Sequence, residues 1–185
     1  MRVGSDVEAG AARGRGSSAP QALALGRGLA ALRIFIGVIA FSNGLAKLFS
    51  FRTIDIGPYS STLVDRPESR GILESEVARN DLPLLPSIVN DIVLPSYGVM
   101  EWLLTFTELG TGALLILGLL SRGAALIVFA QHFGLQLLYF SSGRFAFEQP
   151  HEWLPPLILA LVPAGLIWGL DGRLARNRER VRWPS

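Results

Sequence analysis

Four apolar segments limit the folds that are open to this chain. They cover residues 29–49, 97–120, 123–140 and 153–170. A helix needs about 20 predominantly apolar residues to cross the hydrocarbon core of a bilayer, and each segment approaches that length. Charged residues make up only 17% of the chain, whereas soluble domains have about 25%. The sequence therefore predicts an all-α protein, a membrane-embedded four-helix bundle.

The fourth segment contains three prolines. Pro155 and Pro156 fit the first turn of a helix that begins near Trp153, where a missing N–H costs no hydrogen bond. Pro163 lies further along the segment and predicts a kink.

The distribution of arginines predicts the orientation of the helices. Arginines are frequent before Gly28, at Arg122 and after Leu170, whereas in the long connection, residues 50–96, acids outnumber them. By the positive-inside rule, both termini are cytoplasmic and the long connection is outside. We therefore expect a multi-pass protein of the cell (inner) membrane. Because the basic ends serve as orientation signals, we expect the lipid bilayer as a partner and no nucleic acid.

This topology divides the chain into three parts. Residues 1–27, mostly Gly, Ala, Ser and Arg, are predicted to form a disordered cytoplasmic tail. Residues 28–174 form a four-helix transmembrane domain that includes the long connection. Residues 175–185 form a basic cytoplasmic tail.

The chain has no cysteine, which excludes disulfides, thiolate metal sites, CxxC redox motifs and a cysteine nucleophile. It also has no recognisable cofactor motif and no convincing nucleophile–base set, so we expect no independent enzymatic activity. If the protein takes part in redox chemistry, the electrons must be carried by a molecule that it binds. Glu148, His151 and Glu152 could bind a metal, but their spacing matches no zinc signature, and a solvated turn is the preferred interpretation.

Polar and small residues recur at helical spacing in the first two segments. In the first segment, successive spacings of 4, 3, 4 and 3 place five residues on one stripe: Arg33, Gly37, Ala40, Gly44 and Lys47. In the second segment, a similar stripe contains Glu101, Thr105, Glu108 and Gly112. Small residues allow helices to approach closely in lipid, so both stripes are predicted to face other helices.

The depth of each charge limits its possible partners. At the helical rise of 1.5 Å per residue, Lys47 lies ~3 Å and Glu101 ~6 Å from the outer face, while Glu108 at ~16 Å is near the midplane. His132, ~14 Å from the inner face, matches the depth of Glu108, and Arg33 matches Asp171 at the inner end. We predict that Lys47 contacts Glu101 first and Glu108 second.

Other interpretations remain open for these groups. Lys47 and Arg33 could instead snorkel to lipid headgroups, and Glu101 could be a structural hydrogen-bonding group. Glu108 could form a structural pair with Lys47 or His132, or a catalytic dyad. Two further polar residues complete the candidate set, Asn43 just ahead of Lys47 and Gln136 on the same helix as His132; interhelical hydrogen bonding would explain Gln136. No catalytic role is assigned.

The long connection exceeds the usual length of a loop in a compact domain, so it is predicted to be functional or partly structured. Its run "LLPSIVNDIVLP" places Leu85, Ile88, Val89 and Ile92 on one helical face. This segment is too short to cross a membrane. It could lie at the outer interface as a lid, or it could be a surface loop with a turn that touches lipid.

These residues resemble the DoxX family of small four-helix membrane proteins. The first match is "LRIFIGVIAFSNGLAKL", with Arg33, Gly37, Gly44 and Lys47. The second is "ELGTGALLILGLLSRGAAL", with Glu108 and the Gly118–Arg122 turn, and the third is "WGLDGRL", whose Asp171 matches the family's closing Leu–Asp. The resemblance covers about residues 28–174 apart from the long connection, which is longer than in short family members. The serine that usually precedes the closing Leu–Asp is also missing.

The resemblance implies a role in a membrane redox complex. The family takes its name from subunits associated with a thiosulfate:quinone oxidoreductase, and other members are linked to complexes that handle oxidative stress. We therefore expect an accessory or scaffold subunit that binds other membrane subunits, with a quinone as a possible cofactor. The alternative is a small-solute or lipid transporter, because polar residues inside a helical bundle often mark a substrate pathway.

Overall fold

The computed structural model of the chain describes residues 18–145 and 147–175, which are mostly helical. The elements in chain order are α1 (Ser18–Phe49), β1 (Thr53–Ile56), β2 (Tyr59–Thr62), α2 (Arg66–Val77), α3 (Leu85–Ile88), a π-helical turn (Val89–Val93), α4 (Tyr97–Leu117), α5 (Ser121–Leu138), α6 (Pro150–Leu161), a 3₁₀ turn (Ala164–Leu166) and α7 (Leu170–Ala175).

Two of these helices are long and apolar enough to cross a membrane. They are α1, over Pro20–Phe49, and α4, over Tyr97–Leu117. This finding points to membrane association. The other predicted crossings correspond to α5, with 18 residues, and to α6, with only 12 residues.

The first helix begins earlier than the sequence predicts. Residues 18–27, which the prediction assigned to the disordered tail, belong to α1. Alanine, leucine and glutamine in this stretch favour a helix, and Pro20 lies near its start, where proline is tolerated. The rest of the predicted N-terminal tail, residues 1–17, and residues 176–185 of the C-terminal tail lie outside the described residues.

Glycines bring α1 and α4 into close contact. A Cβ atom added to Gly112 would lie 2.5 Å from the backbone nitrogen of Phe41, and one added to Gly44 would lie 2.8 Å from that of Leu109. Only glycine therefore fits at these positions without a shift of the backbone. All five residues of the Arg33–Lys47 stripe are buried, which confirms the prediction that this stripe faces other helices.

An apolar cluster joins α5, α6 and the 3₁₀ turn to α4. It contains buried residues of α4, α5, α6 and the 3₁₀ turn, and Ile36 of α1 packs against it. Its buried members are Leu115, Ala124, Ala125, Val128, Leu159, Ala160 and Ala164. Because four of the seven are alanines, the backbones pack closely here as well.

The fourth segment is broken rather than kinked. Helix α6 ends at Leu161, and Val162 is extended, with φ −113° and ψ 147°. A residue that precedes proline avoids the helical region, so Pro163 ends the helix through its neighbour. Pro155 and Pro156 lie inside α6 rather than in its first turn, because the helix begins at Pro150. The prediction of one helix over residues 153–170 was therefore wrong.

The long connection contains a β-hairpin that the all-α prediction missed. Strands β1 and β2 pair in antiparallel fashion, with Ile56 opposite Tyr59. The two-residue loop between them begins with Gly57, whose φ is +60°. Glycine at the first position of a two-residue loop is a known hairpin signal, and the flanking β-branched residues favour strands. The sequence thus contained the signal.

The rest of the long connection packs against the end of α5. Val77 and Val89 form a buried cluster with Leu138. The side chain of Asn80 donates hydrogen bonds of 2.8 and 2.7 Å to the carbonyl oxygens of Leu137 and Leu138, which satisfies acceptors at the C-terminal end of α5.

The predicted apolar face of the connection is divided between the two sides of its helix. Val89 is buried, whereas Ile88 and Ile92 are 48% and 56% exposed. The hydrogen bond from Leu94 N to Val89 O closes a π-helical turn, which is wider than an α-helical turn. As a result Val93, rather than Ile92, joins Val89 at the buried cluster.

Candidate functional site

Lys47 and Glu108 form a buried ion pair between α1 and α4. Lys47 Nζ donates to both carboxylate oxygens of Glu108, at 3.0 Å to Oε1 and 2.9 Å to Oε2. The two side chains are only 5% and 20% exposed. Lys47 therefore contacts an acid of α4, as predicted, and does not extend outward in the manner of a snorkelling side chain.

The order of the predicted partners was wrong, since Glu108 and not Glu101 binds Lys47. Side chains on a helix tilt toward its N-terminus. Helix α1 runs toward the long connection and α4 runs away from it, so the side chain of Lys47 tilts into the protein and that of Glu108 tilts back to meet it. A depth estimate made from Cα positions alone neglects both tilts.

Glu101 instead pairs with an arginine of the long connection. Its Oε1 lies 3.8 Å from Arg66 Nη1, and the Arg66 guanidinium carbon is 4.4 Å from the centre of the Trp102 ring. The tilt of the α4 side chains explains this contact too, because it directs Glu101 toward the connection. Arg66 was not among the residues that the sequence predicted for the site.

His132 lies near the ion pair without joining it. It is within electrostatic range of Glu108, but its Nδ1 is 2.9 Å from the carbonyl oxygen of Val128 on its own helix. A carbonyl can only accept, so Nδ1 carries the proton and Nε2 is left to exchange one. Among the described residues, His132 therefore lies near Glu108 but forms no hydrogen bond or ion pair with it, unlike the predicted pair.

The two amide candidates occupy different positions. Gln136 Oε1 accepts a hydrogen bond of 3.3 Å from Trp153 Nε1, which links α5 to α6, and this bond agrees with the interhelical role that the sequence suggested. Asn43 lies half-buried on α1, one turn before Lys47. Lys47, Glu108 and His132 form what we call the central polar group.

A second polar cluster lies at the opposite end of α1. Arg33 and Asp171 are 0% and 1% exposed, and Arg33 Nη2 donates to the carbonyl oxygen of Trp168 at 3.2 Å. The two charges are within electrostatic range, yet they form no ion pair among the described residues. Arg33 and Asp171, which were predicted to lie at the same depth, therefore belong to one cluster without forming an ion pair in the described part of the chain.

Asp171 binds the start of α5. Its carboxylate accepts hydrogen bonds from Leu120 N at 2.9 Å, from Ser121 N at 3.1 Å and from Ser121 Oγ at 2.8 Å. Its own N–H donates to the carbonyl oxygen of Gly118 at 2.8 Å. A residue distant in sequence thus provides the acceptor that an N-cap side chain usually supplies, and sequence reasoning missed the role of Ser121.

Glycines make room for the Arg33 guanidinium. Gly118 ends α4 with φ +63°, and a Cβ there would overlap Arg33 Nη1. A Cβ on Gly169 would lie 2.6 Å from the same nitrogen. The backbone of Trp168, whose carbonyl oxygen accepts a hydrogen bond from Arg33, also has a positive φ of 53°. A strained backbone of this kind persists only where its surroundings hold it in place.

The chemistry available to these groups is proton exchange and hydrogen bonding. The central polar group offers a carboxylate, an ammonium and an imidazole between helices. Within residues 18–145 and 147–175, no three or more His, Asp or Glu side chains are placed to hold a metal ion. The residues Glu148, His151 and Glu152 accordingly form no such group.

Comparison with protein families, with curated proteins and with solved structures finds no match to this chain. A functional proposal must therefore rest on the sequence motifs and on the geometry of the two polar clusters.

Proposed function

We propose that the chain is a DoxX-like, multi-pass membrane protein that acts as an accessory or scaffold subunit of a membrane redox complex. In this proposal it crosses the cell membrane four times, with both termini cytoplasmic and the long connection outside. The broken fourth segment would complete its crossing through α6, the 3₁₀ turn and α7 together. Exposed irregular backbone is not tolerated in lipid, so this segment would lie against the other helices.

The positions of the motif residues support the resemblance. Five of the residues on which it rests build the two polar clusters: Lys47 with Glu108, and Arg33 with Gly118 and Asp171. Gly37 and Gly44 make the close contact between α1 and α4. A set of residues that meets in this way has a structural reason to occur together.

The Lys47–Glu108 pair is the observation that carries the redox role. A buried ion pair contributes little net stability compared with apolar packing, and ionisable groups inside a membrane bundle usually have a function. Glu108 retains 20% exposure, so a ligand between the helices could reach its carboxylate. Lys47 would donate a hydrogen bond to an oxygen of a bound quinone, and Glu108 would hold a proton. A quinone would supply the redox chemistry.

Gentle purification tests this role. We expect the protein, extracted from its own cells in mild detergent, to retain redox subunits and a quinone. Glu108→Gln should lower the retained quinone by about tenfold or more, the effect of losing a hydrogen bond to a charged group. Glu101→Gln, the same change two turns earlier on α4, should retain it. A protein that purifies alone, without quinone and without a redox defect on deletion, contradicts the proposal.

A small-solute or lipid transporter is the second candidate. The observation that favours it is that the polar residues Asn43, Glu108 and His132, on three different helices, are each half-buried. Flux of a solute in proteoliposomes that disappears in Glu108→Gln would favour this role over the first. The absence of flux together with retained redox partners would exclude it.

A further inference from the structure

A separate cavity of about 360 Å³ lies where the long connection meets α1 and α4. Its lining residues, which we call the arginine pocket, are Ser50, Arg66, Pro67, Arg70, Tyr97, Gly98 and Glu101. Pockets for small molecules range from about 300 to 1,000 Å³, so this cavity could hold a small polar ligand. None of its residues belongs to the central polar group.

Aromatic rings hold both arginines of the pocket in place. The Arg66 guanidinium lies 4.4 Å from the centre of the Trp102 ring, and that of Arg70 lies 5.6 Å from the centre of the Tyr97 ring. Arginine stacks on aromatic faces and keeps its in-plane N–H donors available. Arg66 uses one donor on Ser50 Oγ at 3.2 Å, and Arg70 uses Nε on Glu74 at 2.7 Å.

Arg70 has hydrogen-bonding capacity left for a ligand. The hydrogen bond with Glu74, and the charge of that carboxylate, raise the pKa of Arg70 above its ordinary value. A guanidinium has five N–H donors, and among the residues that the structure describes Arg70 uses only Nε, on Glu74. Two guanidinium groups one helical turn apart are suited to bidentate binding of a phosphate.

The negative charge of Glu101 disfavours a ligand that is only an anion. Its carboxylate lines the same pocket and lies 3.8 Å from Arg66, which is longer than a hydrogen bond. A free anion would be repelled by Glu101, whereas a ligand that also carries an ammonium group would be attracted. The pocket therefore offers complementary charges to a zwitterion.

The position of the pocket also indicates a ligand. Ser50 directly follows α1, and Tyr97 is the first residue of α4, so the pocket lies at one end of both candidate membrane spans. Tyrosine and tryptophan are enriched at the headgroup level of membranes, and Tyr97 and Trp102 lie at this end.

We propose that the arginine pocket binds a phosphoethanolamine group, with the phosphate at Arg66 and Arg70 and the ammonium at Glu101. The group could belong to a phospholipid headgroup or to a soluble phosphoethanolamine ester. This inference depends on membrane placement only for the lipid source and does not depend on the redox role. Glu108→Gln should therefore leave the binding unchanged.

Gly98 allows the pocket to be filled without disturbing the fold. No heavy atom of the described residues lies within 4 Å of a Cβ added at Gly98, and the same is true of Gly110 on the same helix. Gly98→Leu adds a bulky side chain at a residue that lines the cavity, whereas Gly110→Leu makes the same change away from it. Arg70→Gln removes a pocket arginine, and its matched control, Arg52→Gln, removes an arginine of the same connection that pairs with Glu68 outside the pocket.

The binding test uses the full chain in detergent, titrated with glycerophosphoethanolamine and followed by tryptophan fluorescence and thermal unfolding. We expect Arg70→Gln and Gly98→Leu each to weaken binding by about tenfold or more, because charge-assisted hydrogen bonds are lost. Arg52→Gln and Gly110→Leu should bind like the wild type. Equal weakening in Arg52→Gln and Arg70→Gln would indicate non-specific attraction and overturn the proposal.

Two further probes separate the ligand classes. Inorganic phosphate should bind at least about tenfold more weakly, because it lacks the ammonium and meets Glu101; equal binding would overturn the zwitterionic assignment. Native mass spectrometry after purification from vesicles of phosphatidylethanolamine and phosphatidylglycerol separates the sources. Selective retention of phosphatidylethanolamine, lost in Gly98→Leu, supports a lipid headgroup. Binding of the soluble ester without lipid retention supports a soluble ligand.

Discussion

At the residue scale, the direction of a side chain along its helix decides which charges meet. Lys47 and Glu108 lie on antiparallel helices, and their side chains tilt toward each other. The same rule directs Glu101 away from Lys47 and toward Arg66. The ion pair at the centre and the ion pair at the edge of α4 therefore have one physical cause.

Removal of one partner of the buried pair should destabilise the fold. Lys47→Met leaves the Glu108 carboxylate buried without its cation, which typically costs about 3–5 kcal/mol. The double variant Lys47→Met/Glu108→Leu removes both charges and should recover most of that loss. Thermal unfolding in detergent, followed by circular dichroism, measures both effects.

An exposed pair provides the control for this comparison. Arg52 and Glu68 are 51% and 41% exposed, so Arg52→Gln should change the stability by less than about 1 kcal/mol. A double variant as unstable as Lys47→Met would contradict the electrostatic explanation and indicate a packing defect.

Chemical modification can report on Lys47 directly, because it is the only lysine of the chain. We expect reductive methylation to modify Lys47 slowly, since its side chain is 5% exposed and bound to Glu108. Glu108→Gln should increase the rate at Lys47, and Glu101→Gln should not. Mass spectrometry of a time course measures the rate at Lys47, and equal rates in the wild type and in Glu108→Gln would contradict protection of the ammonium by the ion pair.

At the element scale, the ends of helices hold the Arg33 cluster together. Gly118 ends α4 in the left-handed conformation, and Asp171 binds the first N–H groups of α5. The turn between α4 and α5 is thus fixed by a residue of α7 and filled by a residue of α1. Helices α1, α4, α5 and α7 therefore meet at one junction, which is formed by Gly118 and the charged side chains of Arg33 and Asp171.

Gly118→Ala should destabilise this junction by about 2 kcal/mol or more. The left-handed conformation costs a non-glycine residue roughly 1–2 kcal/mol, and the added Cβ would displace the Arg33 guanidinium, which occupies the same space. Gly110→Ala is the matched control, because its Cβ meets open space and alanine is favoured inside a helix by about 0.5–1 kcal/mol. The unfolding temperatures should therefore move in opposite directions, and a neutral Gly118→Ala would contradict the observed packing.

At the scale of the whole molecule, periodicity in the sequence predicts the contact faces of the helices. The stripe from Arg33 to Lys47 could be identified because helical spacing and small residues indicate a contact face without knowledge of the partner. The interhelical role of Gln136 could be suggested for a similar reason, since a polar side chain on an apolar helix needs a partner.

Contacts that depend on three-dimensional placement could not be predicted from the sequence. The hydrogen bonds of Asp171 to Leu120 and Ser121 join positions that no local pattern relates. The same holds for Asn80, which binds the end of α5 from the long connection. The hairpin at Gly57 is a different case, because its local signal was present and was outweighed by the apolar segments.

The proposed topology places the long connection and α7 on opposite sides of the membrane. The absence of cysteine in the chain means that a single introduced cysteine is the only thiol. Ser60→Cys lies in the exposed strand β2, and Leu174→Cys lies at an exposed position of α7. In intact cells, a membrane-impermeant maleimide should label Ser60→Cys and should label Leu174→Cys only after permeabilisation. This labelling pattern requires an odd number of crossings between the two positions. Labelling of both positions from the same side would instead exclude four crossings with a cytoplasmic C-terminus. It would require α5 or the α6–α7 segment to return without crossing.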